Sequence, residues 1–321
     1  MYIVLIVLLA ATAALAAIGA VFVRMLIVRQ DDLPTPETGA RCSGLLAPTG
    51  EALWAHNIPY FKPFRALPFE SAEIIARDGL RLHADVLRAA KVGGVTLICC
   101  HGYKSKPSYD FAAMYDMFRE LDCNLIFPHM RAHGASEGRY IGFGALDRFD
   151  IPLWAKKAQE LFPGSSVFLM GMSMGAASVM QSAPLAMPES VCGIIADCGF
   201  SSCREVFGNL VGKVYHLPAF PFISAFELVN RLCAGYGFSD GDSVRAMAQS
   251  RLPLLYICGD SDLYVPKAMA MRIFDACRAD KQLLLVPGAG HAASFMCAES
   301  EYKALLRDFI DKHRKEDQQH D

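Results

Sequence analysis

Between Val167 and Ser178 the chain reads V-F-L-M-G-M-S-M-G-A-A-S, an apolar run that meets a tight Gly-x-Ser-x-Gly and continues as an Ala- and Met-rich stretch. The first part has the character of a buried strand and the last that of a helix, so the pattern predicts strand, sharp turn, helix. Such a turn demands particular residues. Ser173 at its tip takes a strained backbone position that holds its hydroxyl clear of the chain. Gly171 and Gly175 lack Cβ atoms, which lets strand and helix crowd together on either side. The helix N-terminus behind Ser173 presents free N–H groups and a positive dipole end, suited to an oxyanion. Gly-x-Ser-x-Gly alone is a weak signal in a chain with 25 glycines, because a glycine-flanked serine is more often a plain turn. The strand before it and the helix after it make Ser173 a candidate nucleophile.

The rest of the chain repeats the same alternation. Ser71–Ile75 and Leu80–Leu87 flank Arg77-Asp78-Gly79, the signature of a β-hairpin. Val95–Cys100 is a continuous apolar run that ends at His101-Gly102 and reads as a fully buried strand. Helix is expected over Phe111–Leu121, Leu146–Leu161, Lys267–Arg278 and Ser300–Lys312. Strand is expected over Asn124–Pro128, Val191–Ala196, Leu254–Cys258 and Gln282–Val286. This order predicts an α/β fold, a mostly parallel twisted sheet with helices on both faces. Residues 199–249 break the rhythm, with no strand and two helix-capable segments, Phe207–Tyr215 and Phe220–Leu232. A helical insertion after the sixth core strand, above the Ser173 turn, is expected to act as a lid. Most of its apolar side chains should pack on the sheet and a minority should face a cleft.

Residues 2–23 carry no charge, which is long enough to cross a bilayer at roughly 20 apolar residues. A cleaved secretory signal would want a basic segment first and an apolar core of about 7–15 residues. Nothing basic precedes this run, so an uncleaved anchor is expected over residues 1–30. Arg24 and Arg29 follow the run, and the positive-inside rule then leaves the remainder in the cytoplasm. Residues 31–68, rich in Pro, Gly, Ala and Thr, read as a linker and irregular lead-in with one or two helical turns over Glu51–His56. Residues 69–313 read as the globular domain and 314–321 as a polar tail.

Eleven cysteines, an odd number without Cys-x-x-Cys or Cys/His ligand spacing, point to free thiols in a reducing compartment and to no zinc site. A formal net charge of −2 gives no electrostatic case for nucleic acid. With 321 residues and 53% apolar content, the chain can bury one large core or two modest ones. The oligomeric state is not legible.

A serine nucleophile needs a base within hydrogen-bond reach and an acid to orient that base. In a sheet of this kind the three occur in the order Ser, Asp or Glu, His, on loops at the carboxyl ends of strands. His291, in Pro287-Gly288-Ala289-Gly290-His291, directly follows the last expected strand. His216 falls inside the insertion, and His313 and His320 near the end. Three acids compete: Asp262 and Asp260 after the penultimate strand, and Asp197 after the one before. Spacing alone does not choose between Asp260 and Asp262, one of which is expected to satisfy local N–H groups. The oxyanion donors should be the amides of Met174, next to the nucleophile, and of Tyr103, in the loop after Val95–Cys100. His101 reads as a structural loop histidine.

His101-Gly102, Arg131-Ala132-His133-Gly134-Ala135-Ser136-Glu137-Gly138, Gly171-Met172-Ser173-Met174-Gly175, Gly259-Asp260-x-Asp262-x-x-Val265-Pro266 and Gly290-His291 together resemble the α/β-hydrolase fold family. The likeness is to its serine aminopeptidase-like or monoglyceride-lipase-like branch, and in particular to bacterial membrane-anchored members. It covers about residues 70–312. The resemblance implies that the acid is Asp262, the residue before x-x-Val-Pro, and that the Arg131–Gly138 loop is a structural turn near the site. His129 stands where the family commonly has Asp, and Ala132 where it commonly has Gly.

The chemistry expected is serine acyl transfer to water, with no metal or organic cofactor. The expected substrate is a small hydrophobic or lipid-derived ester, and the N-terminal helix supplies the contact with the membrane. The same triad also admits peptidase, amidase or thioesterase activity. An aminopeptidase would need an acid in the lid to hold the substrate amine, for which Glu205 and Glu227 are the candidates, although both read equally well as solvated surface. A membrane-tethered binding module that keeps the fold is the non-enzymatic alternative, against which the intact triad argues. Ser rather than Asp at the turn argues against dehalogenase chemistry.

Overall fold

The computed structural model describes residues 1–31, 47–90 and 94–315. Eight strands form one sheet: β1 (Glu70–Ile75), β2 (Arg81–Leu87), β3 (Val95–Cys100), β4 (Asn124–Pro128), β5 (Ser166–Met172), β6 (Val191–Asp197), β7 (Leu254–Gly259) and β8 (Lys281–Val286). Their order is β1-β2-β4-β3-β5-β6-β7-β8. The expected hairpin β1–β2 is antiparallel and β2 runs antiparallel to β4, while every later pairing is parallel. The chain leaves β3 toward β4 and then returns past β3 to β5. The carboxyl ends of β3 and β5 therefore flank a switch in winding direction, where a crevice opens in sheets of this class.

The helices are α1 (Tyr2–Phe22), α2 (Ala47–Arg65), α3 (Pro107–Asp110), α4 (Tyr115–Glu120), α5 (Ile151–Leu161), α6 (Met174–Ser182), α7 (Cys203–Val214), α8 (Ala219–Ala234), α9 (Ser243–Gln249), α10 (Lys267–Ala276), α11 (Ser294–Cys297) and α12 (Glu299–His313). Every residue of β3 and β5 is buried, as expected for central strands covered on both faces. Ile98, Cys100, Val167 and Leu169 point to one face, packed by helices α5 to α10. Leu97, Cys99, Phe168 and Met170 point to the other, packed by α2, α4 and α12. Alternation along the strand thus divides the interior into two apolar layers. Helices α7, α8 and α9 form the expected insertion between β6 and β7. The described cysteines are free thiols, most of them buried.

Two segments differ from the sequence reading. In place of one or two turns over Glu51–His56, α2 runs from Ala47 to Arg65 with Pro59 and Pro63 inside it. Helix propensity argues against those prolines, but Phe61 and Phe64 are buried against the sheet, with the Phe64 ring 5.4 Å from Phe127. Tertiary packing overrides the local preference. The expected helix Phe111–Leu121 is broken: Phe111 leaves helical geometry after α3, and a 3₁₀ turn at Ala112–Met114 precedes α4. Phe111 and Phe118 are both buried in the core on either side of the break. Part of the expected linker, residues 32–46, and the end of the tail, 316–321, lie outside the described residues.

One described helix, continuing into Ile27, is long and apolar enough to cross a membrane, with a mean hydropathy of 2.7. Its first turns are exposed along Ile3–Leu9, but Gly19 and Phe22 are buried. Beyond α1 a widened turn, Val23–Ile27, leads into the domain. Val28 bridges Tyr140, Arg29 N–H donates to the Arg139 carbonyl (2.9 Å) and Ile141 N–H donates to the Ile27 carbonyl (2.8 Å). The helix exit is stitched to the globular part.

Candidate active site

Strand β5 ends at Met172 and α6 begins at Met174, so Ser173 alone makes the turn, at φ 51° and ψ −109°. A non-glycine residue held there stores strain of order 1–3 kcal/mol. A Cβ on Gly171 would run into the backbone of Gly175, and one on Gly175 into the Cys100 carbonyl. The two glycines permit the contact that holds the turn tight.

His291 follows β8 and presents Nε2 2.8 Å from Ser173 Oγ. Its Nδ1 lies 2.7 Å from Asp262 Oδ2, and Asp262 Oδ1 accepts the amides of Tyr264 and Val265, each at 2.8 Å. A carboxylate that only accepts fixes Nδ1 as the protonated nitrogen, which leaves Nε2 to accept the serine proton. Asp262 is the acid hydrogen-bonded to His291. Asp260 instead accepts Gly288 N–H (2.8 Å) and the Ser261 hydroxyl, tying the two loops together. Asp197 is fully buried beside the hydroxyls of Tyr302 and Ser294, and burial pushes its carboxyl up to about 7.

These surroundings have two measurable consequences. Burial disfavours the His291 imidazolium, but Asp262, with Asp197 and Asp110 behind it, outweighs burial and raises the ring above its ordinary 6.5. The acidic limb of kcat/KM is therefore expected to have its midpoint above pH 6.5, and Asp262→Asn should move that midpoint down. For Asp197, a folded pKa near 7 against an ordinary 3.8 means stability is greatest below pH 4 and is lost as pH rises toward 7. Asp197→Asn cannot ionise. Its melting temperature relative to wild type is expected to climb between about pH 4 and 7 and then level off, and a flat difference would exclude a buried ionisation.

Gly102 lies against Ser173, where a Cβ would come within 3.5 Å of Ser173 Cβ. The loop on either side of Tyr103 is held from below. Gly102 N–H donates to Asp110 Oδ2 (2.7 Å), the Ser105 hydroxyl to Asp110 Oδ1 (2.6 Å), and Lys104 N–H to His133 Nε2 (3.1 Å). On the other side Met174 N–H is the first of α6, one of the amides that has no partner within a helix. His101 donates from Nδ1 to the Gly102 carbonyl (2.8 Å) and accepts Met130 N–H at Nε2 (3.1 Å). His133 donates to the Arg131 carbonyl (2.9 Å). Burial drives the His101 pKa well below its ordinary value and that of His133 to about 4, so both are neutral supports. Sequence reasoning missed Asp110 and the contact between His133 and Lys104. Asp110 sits in Lys-Pro-Ser-Tyr-Asp, which carries no signal beyond a helix start.

The Arg131–Gly138 loop is built around an ion cluster. Arg131, 5% exposed, donates to both oxygens of Asp150 (2.8 and 2.7 Å) and to Asp78 (2.8 Å). It joins the β1–β2 turn to the start of α5. The two departures from the family pattern have local explanations. Ala132 occupies φ 61°, a conformation glycine adopts more readily. His129 bonds Asp85 through Nε2 (3.1 Å) and accepts Ala135 N–H at Nδ1 (2.9 Å).

Two cavities open on His291. One, about 420 Å³, touches Ser173 and is walled by Met25, Leu26, Leu210, Tyr215 and Tyr264. The other, about 510 Å³, lies under α2 and is lined in part by Trp54, Asn57, Lys104, Lys106 and His133. Of the insertion's aromatics, Phe207, Phe226 and Phe238 stack on one another with centroids 4.7–5.1 Å apart in the core, while Tyr215 faces the first cavity. Glu205 is paired with Arg272, and Glu227 with Arg204 and Phe238 N–H; neither lines these cavities.

No family model matches the chain. The uncharacterized protein YqkD of Bacillus subtilis is 24% identical over 221 residues, covering 67% of this chain and 71% of its own. The uncharacterized membrane protein YNL320W of Saccharomyces cerevisiae is 23% identical over 254 residues, covering 77% and 81%. Among solved structures, the esterase Pf2001 of Pyrococcus furiosus is similar at a TM-score of 0.63 and 18% identity, over 79% of this chain and 95% of that one. With the sheet order and the helical insertion after β6, this similarity shows that the chain has the α/β-hydrolase fold.

Proposed function

We propose that the protein is a membrane-anchored serine hydrolase that cleaves a carboxylic ester with a hydrophobic acyl group. The observation that carries this reading is the unbroken hydrogen-bond chain from Ser173 Oγ through His291 to Asp262. In this reading Ser173 attacks the carbonyl carbon while His291 Nε2 takes its proton. Asp262 holds the tautomer and stabilises the imidazolium. The amides of Met174 and Tyr103 receive the oxyanion. His291 then returns the proton to the leaving alcohol, and water repeats the sequence to release the acid.

The apolar cavity beside Ser173 suits an acyl chain and the mixed one under α2 suits the alcohol. The structurally similar Pyrococcus furiosus protein is an esterase, which agrees with ester rather than amide chemistry. Glu205 and Glu227, the two acids considered for holding a substrate amine, are engaged by arginines and line neither cavity, which argues against an aminopeptidase. The motif set favours the serine aminopeptidase-like or monoglyceride-lipase-like branch. We divide the chain into an anchor at 1–30, a connecting segment, and a hydrolase domain at 69–313. Arg24 and Arg29 after the apolar run favour a cytoplasmic domain.

The test uses the full chain in detergent, treated with a fluorophosphonate and mapped by mass spectrometry. A single adduct on Ser173, abolished by boiling the protein first, is the expected result. An unlabelled native protein would sink the catalytic reading and promote the binding module.

A further inference from the structure

The apolar helix at the N-terminus does more in this structure than precede a domain. Leu15, Ile18, Gly19 and Phe22, spaced as one helical face, are the positions of α1 that lose exposure, and α8 lies against that face. A Cβ on Gly19 would come 2.8 Å from the Ala225 carbonyl oxygen and 3.0 Å from Val229 Cγ2. The Phe22 ring sits 5.5 Å from those of Tyr215 and Phe226. The turn that follows is bonded to the loop flanking Ser173. Tyr103 hydroxyl donates to the Leu26 carbonyl (2.9 Å), and Lys104 Nζ donates to the Met25 carbonyl (2.8 Å) and to Gln30 Oε1 (2.9 Å). Met25 and Leu26 wall the cavity that holds Ser173 and His291.

On its outer side α8 carries Leu228 and Leu232, four residues apart on one stripe and 61% and 79% exposed, and Phe220, at the kink where the helix begins, is 78% exposed. Large apolar side chains left bare in a row mark a surface that is covered in use. What covers this one follows from its neighbour, because the stripe belongs to the helix packed on α1. The exposed face of α1, Ile3 to Leu9 at 53–77% exposure, is uncharged and calls for hydrocarbon. Arg24 follows the apolar run at the α1 exit, where a cation can meet lipid headgroups.

We propose that the C-terminal half of α1, where it packs on α8, and the outer stripe of α8 are seated together in one leaflet, so that the cavity beside Ser173 opens sideways into the acyl-chain layer and the enzyme takes its ester directly from the bilayer. The substrate class is then an acyl lipid whose chain passes between the α1 exit and the end of α7, with its ester carbonyl drawn up to Ser173. The anchor forms a wall of the acyl site as well as a tether. This rests on the serine hydrolase reading for the chemistry, and on packing alone for the membrane seat.

The experiment reconstitutes the full chain in phosphatidylcholine vesicles and separates the two. In one arm Leu232→Trp reports the position of α8: its emission, above that of the two native tryptophans, should be quenched when the lipids are replaced by brominated ones. In the other arm, wild type and the Leu228→Gln/Leu232→Gln variant are compared on p-nitrophenyl acetate from water and on 4-methylumbelliferyl oleate dissolved in the bilayer. Losing two buried leucine contacts with lipid should slow the oleate reaction at least about tenfold while the acetate rate stays within about twofold. An unquenched Trp, or equal loss on both esters, overturns the proposal. Quenching with an unchanged oleate rate overturns the sideways entry. A wild type inactive on both esters would remove the hydrolase reading, and quenching would still decide the seat.

Discussion

Ser173→Ala is expected to lower kcat by about six orders of magnitude, and Asp262→Asn by about four, with neither variant unfolded. The difference between the two is informative. In the proposed mechanism Ser173 supplies the atom that forms the acyl-enzyme, so without it only the oxyanion site and substrate binding remain. Asp262→Asn keeps the size of the side chain but offers an amide where a carboxylate stood 2.7 Å from His291 Nδ1. The ring can then settle with its proton on Nε2, pointing at the serine that needs an acceptor. The double variant should be no slower than Ser173→Ala, because the residues act as a unit. Asp260→Asn, two positions away, should cost far less, since Asp260 bonds a backbone amide and a neighbouring hydroxyl and does not touch His291. Steady-state hydrolysis of a p-nitrophenyl ester measures all of these. Equal losses for the two aspartates would mean that the acid has been misassigned.

The largest effect on stability is expected at Arg131. Its side chain is 5% exposed and donates to Asp150, itself 4% exposed, through two hydrogen bonds. Removing one member of a buried pair costs about 3–5 kcal/mol, mostly because the other charge is left without compensation. Asp147, fully buried close by, makes the uncompensated acids harder to tolerate in Arg131→Met. Adding Asp150→Asn should recover part of the loss, because the two sites share one interaction and are not additive. Urea unfolding of the single and double variants gives the coupling. A near-zero cost for Arg131→Met would show the cluster to be replaceable by packing.

The reading of strands was accurate where two conditions coincided: an unbroken apolar run and punctuation by a turn. Val95–Cys100 and Asn124–Pro128 are bounded as expected because central parallel strands bury both faces and tolerate few polar residues. The insertion was legible for the converse reason, a long stretch without any such run. Segments that depend on distant partners were not legible. The helix carrying Pro59 and Pro63 exists because Phe61 and Phe64 find the sheet. The break after α3 leaves no mark in the apolar pattern, because Phe111 and Phe118, seven residues apart, would share one face of an unbroken helix as well.

The site divides along the same line. The turn at Ser173 is determined locally, since only glycines at 171 and 175 allow strand and helix so close, and a histidine directly after the last strand falls on the same edge of a parallel sheet. The choice among Asp197, Asp260 and Asp262 was open in the residues themselves and was made only by the family pattern. In the folded chain it turns on which carboxylate the loop after β7 aims at His291. Asp110 beneath the loop at Gly102, and Met25 and Leu26 in the wall beside Ser173, join the site from separate parts of the chain. Periodicity and turn chemistry act over a few residues and are written in the sequence, whereas side chains from remote segments meet only when packing brings their backbones together.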